Sequence, residues 1–150
     1  MMQDVGERTG NLISFWERTA KKFRSGPVTE NLTTDVCVVG GGIAGATTAY
    51  LLARERRNVV LIDDGPLGSG MTARTTAHLV NMVDDGYVEI EQMLGEECAR
   101  LVAESHSAAI DTIEQIVLEN KIDCNFERLE GYLFLPPGGS VTELMKELEA

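Results

Sequence analysis

The stretch DVCVVGGGIAGATTAYLLARERRNVVLID, residues 35–63, decides the fold of this chain. Its first apolar run, Val36–Val39, is typical of a parallel-sheet strand that is buried on both faces. A glycine turn and a helical segment follow, and Asn58 after two arginines suits a left-handed helix stop. The run 59–62 predicts a second buried strand. The order strand, glycine turn, helix, strand predicts an α/β fold with a Rossmann-like βαβ unit.

The glycines of the turn have the spacing GxGxxG, and each has a separate predicted task. Gly40 allows the chain to turn sharply, Gly42 leaves room for a pyrophosphate near the backbone, and Gly45 lets the helix approach the strand. The N-terminus of that helix favours an anion through its free N–H groups and its dipole. Asp63 follows Gly45 by 18 positions and can accept hydrogen bonds from a ribose. The pattern therefore predicts a dinucleotide site.

Composition limits the classes of partner. The chain has 150 residues, with 24 acidic and 13 basic side chains and a net charge of −11, which disfavours nucleic acid and anionic membranes. No apolar run is long enough to span a bilayer. The cysteines Cys37, Cys98 and Cys124 form no CxxC pair, so we expect no metal site and no disulfide framework, and Cys37 is expected in the core. We expect a cytoplasmic protein.

The segment before the first strand predicts an arm. Met1–Gly10 is polar and is expected to be a frayed start. Leu12–Phe23 contains the single tryptophan, Trp16, among charged residues, and Ser25–Thr34 is expected to be a linker. Two interpretations of the arm remain open: it packs its aromatic side chains on the domain, or it binds a partner.

A loop rich in Gly, Ser and Thr follows Asp63 at the end of the second strand, where open α/β sheets bind ligands. Arg74 in this loop could pair with a pyrophosphate through its planar guanidinium. The alternative is an ordinary surface loop with a solvated Arg74. His78 could approach a cofactor ring or be structural.

The second half of the sequence predicts helices first and strands later. A turn at 84–86 precedes a short helix that ends before Gly95, and a long helix is predicted over Glu96–Glu119. The runs 122–129 and 131–135 alternate in polarity and contain aromatic residues, which predicts a hairpin. A last helix is predicted over 142–150. Because the chain stops inside that helix, we expect it to be the N-terminal part of a larger protein.

Four motifs resemble those of one known family. They are SFWxxTA from residue 14, DVCVVGGGIAG from residue 35, LGSGxTxRTTAHL from residue 67, and IDCxFERLxGYL from residue 122. With these motifs the chain resembles FAD-dependent oxidoreductases of the D-amino acid oxidase-like (DAO) superfamily. The later motifs resemble the subgroup whose full-length members carry a C-terminal Rieske domain.

The resemblance implies FAD as the cofactor, with its ADP half on the glycine turn and its ribose at Asp63. It also implies that the loop after Asp63 runs along the pyrophosphate towards the flavin, and that the predicted hairpin begins a β-rich substrate domain. The expected divisions are 1–30 for the arm and linker, 31–122 for the N-terminal part of the FAD-binding domain, and 123–150 for the start of a truncated substrate domain. The candidate cofactor-binding residues are Gly40, Gly42, Ile43, Ala44, Gly45, Asp63, Asp64, Gly70, Thr72, Arg74, Thr75 and Thr76.

The implied reaction is oxidation of a C–N bond in a small-molecule amine or amino acid by hydride transfer to flavin. The catalytic residues and the substrate are not identified by this stretch of sequence, and the Rieske ligands are absent from it. We therefore expect this chain alone to be inactive. Two alternatives remain: an NAD-linked dehydrogenase domain, and a non-catalytic nucleotide-binding fragment. Asp63 would repel a 2′-phosphate, which disfavours NADP.

Overall fold

A computed structural model of the chain describes residues 13–20, 23 and 25–150. The predicted start Met1–Gly10 and part of the predicted arm lie outside the described residues. The chain divides into two compact units, Met1–Ala77 and His78–Ala150. The helices and strands are α1 (Phe15–Thr19), β1 (Val36–Val39), α2 (Ile43–Arg54), β2 (Val59–Ile62), a 3₁₀ helix (Thr72–Arg74), α3 (Tyr87–Leu94), α4 (Glu96–Glu119) and α5 (Val141–Glu149).

The first unit contains a βαβ arrangement. Strands β1 and β2 pair in parallel, with Val36 opposite Val59 and Val39 opposite Ile62, and α2 connects them. The Gly40 amide donates to the Ile62 carbonyl at 2.8 Å, so the parallel pairing continues into the glycine turn. The predicted strand–turn–helix–strand order is confirmed, and the turn lies at the carboxyl end of β1.

The two strands are less buried than predicted. Exposure alternates along β1, and Val39 is 78% exposed. Cys37 is exposed as well, so its assignment to the core was wrong. The physical reason is the size of the sheet: the described residues form two strands, each with one neighbour, and α2 is the helix that contacts them. A strand is buried on both faces only where layers cover both faces of the sheet.

The predicted helix stop at Asn58 was also wrong. Helix α2 ends at Arg54, and the left-handed residue that follows it is Arg56, with φ of 60°. Asn58 instead joins the sheet: its amide donates to a side-chain oxygen of Asp35 at 2.9 Å, and its carbonyl accepts from the Val36 amide at 3.2 Å. The tight reversal therefore occurs two residues before Asn58, which leaves Asn58 free to begin the strand pairing.

The second unit is helical: α4 has the predicted bounds, α3 ends before Gly95 as predicted, and α5 lies one residue earlier than predicted. Gly95, with φ of 88°, separates α3 from α4. Tyr87 and Ala99 are the buried residues of these helices. The side chain of Glu147 on α5 accepts hydrogen bonds from the Tyr87 amide at 2.5 Å and the Val88 amide at 3.2 Å. This carboxylate fastens α5 to the start of α3.

The predicted hairpin is not formed, so the β-rich part of the fold expectation was wrong for these residues. No strand occurs among residues 122–135, all of which are described, and Tyr132 and Phe134 are each 78% exposed. Arg128 instead bonds the carboxylates of Asp111 and Glu114 on α4. An isolated two-stranded hairpin is marginal without a third strand or a packed face, and side-chain contacts to α4 hold this segment instead. The division at residue 123 stays a prediction.

Candidate dinucleotide-binding site

The glycine turn is closely packed, and Gly45 shows why. A Cβ atom on Gly45 would lie 1.8 Å from the Gly40 carbonyl oxygen, far inside van der Waals contact. Gly40 itself has φ of 104°, a conformation that favours glycine. A Cβ on the buried Gly41 would lie 2.3 Å from a methyl carbon of Leu67. The turn therefore requires glycine both to bend and to let α2 and the loop after β2 approach the backbone.

Asp63 is bound to this turn through its carboxylate. One oxygen accepts from the Gly41 amide at 2.5 Å and the other from the Gly65 amide at 2.7 Å. These bonds, that of Gly41 foremost, lower the pKa of Asp63 below its ordinary value of 3.8. The residue is exposed. Because the ionised group is exposed, a ribose diol can reach it.

The N-terminus of α2 has no negative group of its own. Its N-cap, Gly42, has no side chain to cap the first turn, and that turn contains no acidic residue. The Ile43 amide donates to the Thr72 hydroxyl at 3.1 Å. A Cβ on Gly42 would lie 3.1 Å from the same hydroxyl oxygen. Backbone N–H groups and a positive dipole end thus meet a neutral hydroxyl, an arrangement that suits an anion.

The loop after β2 lies against the glycine turn. The Gly68 amide donates to the Gly41 carbonyl at 2.8 Å. Ala73 in the 3₁₀ helix is buried, and Arg74 beside it is half-buried. A backbone hydrogen bond therefore holds the start of this loop on the turn. The composition predicted a loop near the turn but did not predict this bond.

Part of the predicted arm contacts the same loop. The Ser14 hydroxyl donates to the Ala73 carbonyl, and the Trp16 indole N–H donates to the Thr75 carbonyl at 2.6 Å. The described part of the arm is thus held on the domain, as the packing interpretation predicts. Phe15 is 62% exposed, however, and the arm is held by hydrogen bonds as well as by its aromatic side chains.

Hydrogen bonds bring three parts of the candidate set together: the turn, Asp63 and Thr72. The other loop candidates follow in the same segment, and they are exposed except for Arg74. These loop candidates are Asp64, Gly70, Arg74, Thr75 and Thr76. His78 is exposed and belongs to the second unit.

Sequence reasoning missed Gly41, Ser14 and Trp16 as members of this region. The middle glycine of three consecutive glycines was the available signal for Gly41. For Ser14 the signal was the spacing S-x-x-E with Glu17, which predicts a capping box and hence an ordered helix start. Nothing in the sequence connected Trp16 with Thr75.

Within residues 13–20, 23 and 25–150, no three His, Cys, Asp or Glu side chains are grouped so that they could hold a metal ion. None of the described helices is both long enough and apolar enough to cross a membrane.

Comparison with known proteins identifies the family. The family described as FAD dependent oxidoreductase (DAO) matches residues 35–150. The "Putative Rieske 2Fe-2S iron-sulfur protein YhfW" of Bacillus subtilis is 37% identical over 138 residues, which cover 91% of this chain and 27% of that protein. The "Gamma-glutamylputrescine oxidoreductase" of Escherichia coli is 29% identical, over 79% of this chain and 28% of that protein. The "Probable oxidoreductase OrdL" of Haemophilus influenzae is 26% identical, over 81% of this chain and 28% of that protein.

This chain belongs to the FAD-dependent oxidoreductase (DAO) family, and the cofactor of that family is FAD. The family match favours FAD over the NAD alternative. The chain spans little more than a quarter of the length of the curated relatives it matches. No solved structure matches the chain significantly.

Proposed function

We propose that this chain is the N-terminal FAD-binding portion of an enzyme that oxidises a C–N bond of an amine or amino acid. The observation that carries the proposal is the meeting of Asp63, Thr72 and the N-terminus of α2 at one glycine turn. A carboxylate that can hold a diol and a helix end that can hold an anion are the two groups that an ADP moiety requires.

The residues present fit FAD. Asp63 would accept hydrogen bonds from the adenosine ribose, and the first amides of α2, at Ile43, Ala44 and Gly45, would face the pyrophosphate. Gly40 and Gly42 would keep the backbone accessible at the Rossmann-like turn. The loop members Asp64, Gly70, Thr72, Arg74, Thr75 and Thr76 would line the path from the pyrophosphate towards the flavin, with the guanidinium of Arg74 as the positive partner.

Bound FAD would supply a ring that accepts a hydride from the carbon next to the substrate nitrogen. The residues of this chain would bind and orient that cofactor through its ADP half. The name of the Escherichia coli relative contains γ-glutamylputrescine, a derivative of a diamine, and this supports an amine or amino acid as the substrate class.

The protein architecture is part of the same proposal. Residues 1–30 would form an arm and linker, 31–122 the N-terminal part of the FAD-binding domain, and 123–150 the start of a substrate domain. The similarity to a protein named for a Rieske cluster supports a downstream Rieske domain in the full-length protein. A cytoplasmic location stays a prediction from composition.

The decisive experiment is to titrate the purified, ligand-free chain with FAD while following flavin fluorescence, after any released ligand from denatured protein has been identified by absorbance and mass. We expect saturable binding of FAD. The variant Gly42→Val should abolish binding because its side chain would fill the space beside the Thr72 hydroxyl and the helix end. Gly131→Ala is the control, since nothing lies within 4 Å of an added Cβ there.

The outcomes separate the remaining alternatives. Released or bound FAD supports the enzyme portion, and binding of NAD in preference to FAD would contradict it. A folded wild-type chain that binds neither FAD nor ADP would favour a non-catalytic scaffold. Equal FAD affinity in wild type and Gly42→Val would remove the assignment of the glycine turn as the site.

A further inference from the structure

The N-terminal end of α1 reaches the loop after β2 by two hydrogen bonds, one from its N-cap residue and one from its first turn. The Ser14 hydroxyl donates to the Ala73 carbonyl, and the Trp16 indole N–H donates to the Thr75 carbonyl at 2.6 Å. Each bond joins residues 59 positions apart in sequence. The two carbonyls that accept them lie immediately before and after Arg74.

The loop segment is therefore held from two sides. At Thr72, the hydroxyl accepts from the Ile43 amide at the N-terminus of α2. At Ala73 and Thr75, the carbonyls accept from α1. The 3₁₀ helix between these bonds buries Ala73, which leaves little freedom for the backbone that presents Arg74 and Thr75.

The short helix that makes these bonds is organised for them by its own sequence. The Ser14 hydroxyl accepts from the Glu17 amide at 3.1 Å, and the Glu17 carboxylate accepts from the Ser14 amide at 3.1 Å, which forms a complete capping box. The Phe15 and Trp16 rings pack edge to face, with centroids 5.1 Å apart and planes at 82°. Both donors are therefore oriented before they meet the loop.

This contact combines the partial burial of two aromatic rings with two directed hydrogen bonds. Trp16 is 38% exposed and Phe15 is 62% exposed, so the rings bury only part of their surface. An indole N–H can only donate, which makes its partner carbonyl specific. A contact that uses two directed donors fixes the position of the loop backbone more closely than a contact between apolar surfaces, which has no direction.

We propose that Ser14 and Trp16 are positioning residues that hold the Thr72–Thr75 segment in place for FAD, an inference that rests on the proposed function. Neither side chain is required to touch the cofactor. Their effect is on the pyrophosphate and flavin parts of FAD through the loop, whereas Asp63 would bind the adenosine ribose without them.

The test compares Trp16→Phe, which keeps the ring and removes the N–H donor, with Ser14→Ala and Ser14→Thr. Thr19→Val is the matched control, because the Thr19 hydroxyl bonds Phe15 within the same helix. For each full chain we would measure the affinities for FAD and for adenosine and the rate at which trypsin cleaves after Arg74 without ligand.

We expect Trp16→Phe and Ser14→Ala each to weaken FAD binding by about 5- to 10-fold, the effect of one lost hydrogen bond. Affinity for adenosine, which has no pyrophosphate for Arg74 to contact, should stay within about twofold, and cleavage after Arg74 should accelerate by a similar 5- to 10-fold because the loop opens more often. Ser14→Thr should restore both values, since threonine keeps the hydroxyl and can cap the helix. Thr19→Val should match wild type.

Equal FAD affinity and equal cleavage in wild type and Trp16→Phe would overturn the inference while leaving the proposed function intact. Parallel losses of FAD and adenosine binding would also overturn it, because they would show a general loss of structure. If wild type binds no FAD, the proposed function fails, and positioning of the cofactor fails with it. Faster cleavage in Trp16→Phe would then show only that the contact orders the loop.

Discussion

Helices α2 and α3 each begin after a glycine, and the chain places different groups at their N-termini. Helix α2 begins after Gly42 and has no acidic residue in its first turn, and its Ile43 amide donates to the neutral Thr72 hydroxyl. Helix α3 begins after Gly86, and the Glu147 carboxylate accepts from its first two amides. The second helix end is neutralised by the chain itself, whereas the first is left able to accept an external anion.

The glycines at these two ends have different reasons for lacking a side chain. A Cβ on Gly86 would lie 2.9 Å from the Glu147 carboxylate oxygens, and its φ of 77° also favours glycine. A Cβ on Gly42 would meet only the Thr72 hydroxyl, at 3.1 Å. The same residue type therefore makes room for an internal cap in one unit and, under the proposed function, for a ligand in the other. A glycine before a helix does not by itself distinguish the two uses.

We expect the largest effect from Gly45→Ala, which would disrupt the packing at the N-terminus of α2. The added Cβ would lie 1.8 Å from a backbone oxygen that no side-chain rotation can move. We expect a loss of about 3 kcal/mol or more in the free energy of unfolding, together with loss of FAD binding. Urea unfolding followed by circular dichroism measures it. Gly131→Ala should change stability by less than about 0.5 kcal/mol, and a similar result for Gly45→Ala would contradict the packing role.

Ala44→Asp would make the α2 end resemble that of α3. A carboxylate in the first turn should stabilise the helix by about 0.3–1 kcal/mol through the dipole. It should also repel a pyrophosphate, and we expect FAD affinity to fall by about 30-fold, or about 2 kcal/mol. On one protein preparation, unfolding should show higher stability than wild type, and FAD titration should show lower affinity. Unchanged FAD affinity would show that the anion does not bind at this helix end.

Glu147→Ala would remove the carboxylate from the N-terminus of α3, so that this helix end would resemble that of α2. The Tyr87 and Val88 amides would lose their acceptors, and we expect a loss of about 1 kcal/mol in stability, typical of a removed N-cap. FAD affinity should stay unchanged. Glu149→Ala, an exposed acid on the same helix, serves as the control in thermal unfolding. If both variants unfold like wild type, the carboxylate does not cap α3.

Asp63→Asn removes the negative charge beside the glycine turn, and we expect it to have the smallest effect of these four variants. Asparagine keeps an acceptor for the Gly41 amide but loses the negative charge, so we expect FAD affinity to fall by about fivefold. Since folding lowers the pKa of Asp63, its ionised form stabilises the fold above pH 3.8, its ordinary value, and this stabilisation is lost as the pH falls further. The difference in unfolding free energy between wild type and Asp63→Asn should therefore shrink below about pH 4. A constant difference down to pH 2 would refute this role.

Local patterns were sufficient for most helices and for the core of the site. The bounds of α4 follow from its apolar periodicity and from Gly95, and the βαβ order follows from two apolar runs around a glycine turn. Asp63 could be placed near the turn because parallel strands end at the same edge of a sheet. These features depend on residues close in sequence or on a recurring unit.

Features that depend on distant partners were missed. The segment 122–135 has the composition of a hairpin, yet Arg128 binds acids on α4 and no strand pairing forms. The same limit applies to Cys37, which has an apolar neighbourhood in sequence but an exposed position in the described sheet. Strand formation and burial depend on what covers a segment, and no short window of sequence contains that information.

The sequence by itself determined the parallel βαβ unit, the need for glycine in the turn, and membership of an FAD-dependent family, because these follow from local spacing and from shared motifs. Only the tertiary structure decided that Gly41 and Gly65 fasten Asp63, that Thr72 meets the start of α2, and that Trp16 donates to Thr75. The physical reason is that hydrogen bonds depend on distance and direction in space, and folding sets both for groups that the chain separates by tens of residues.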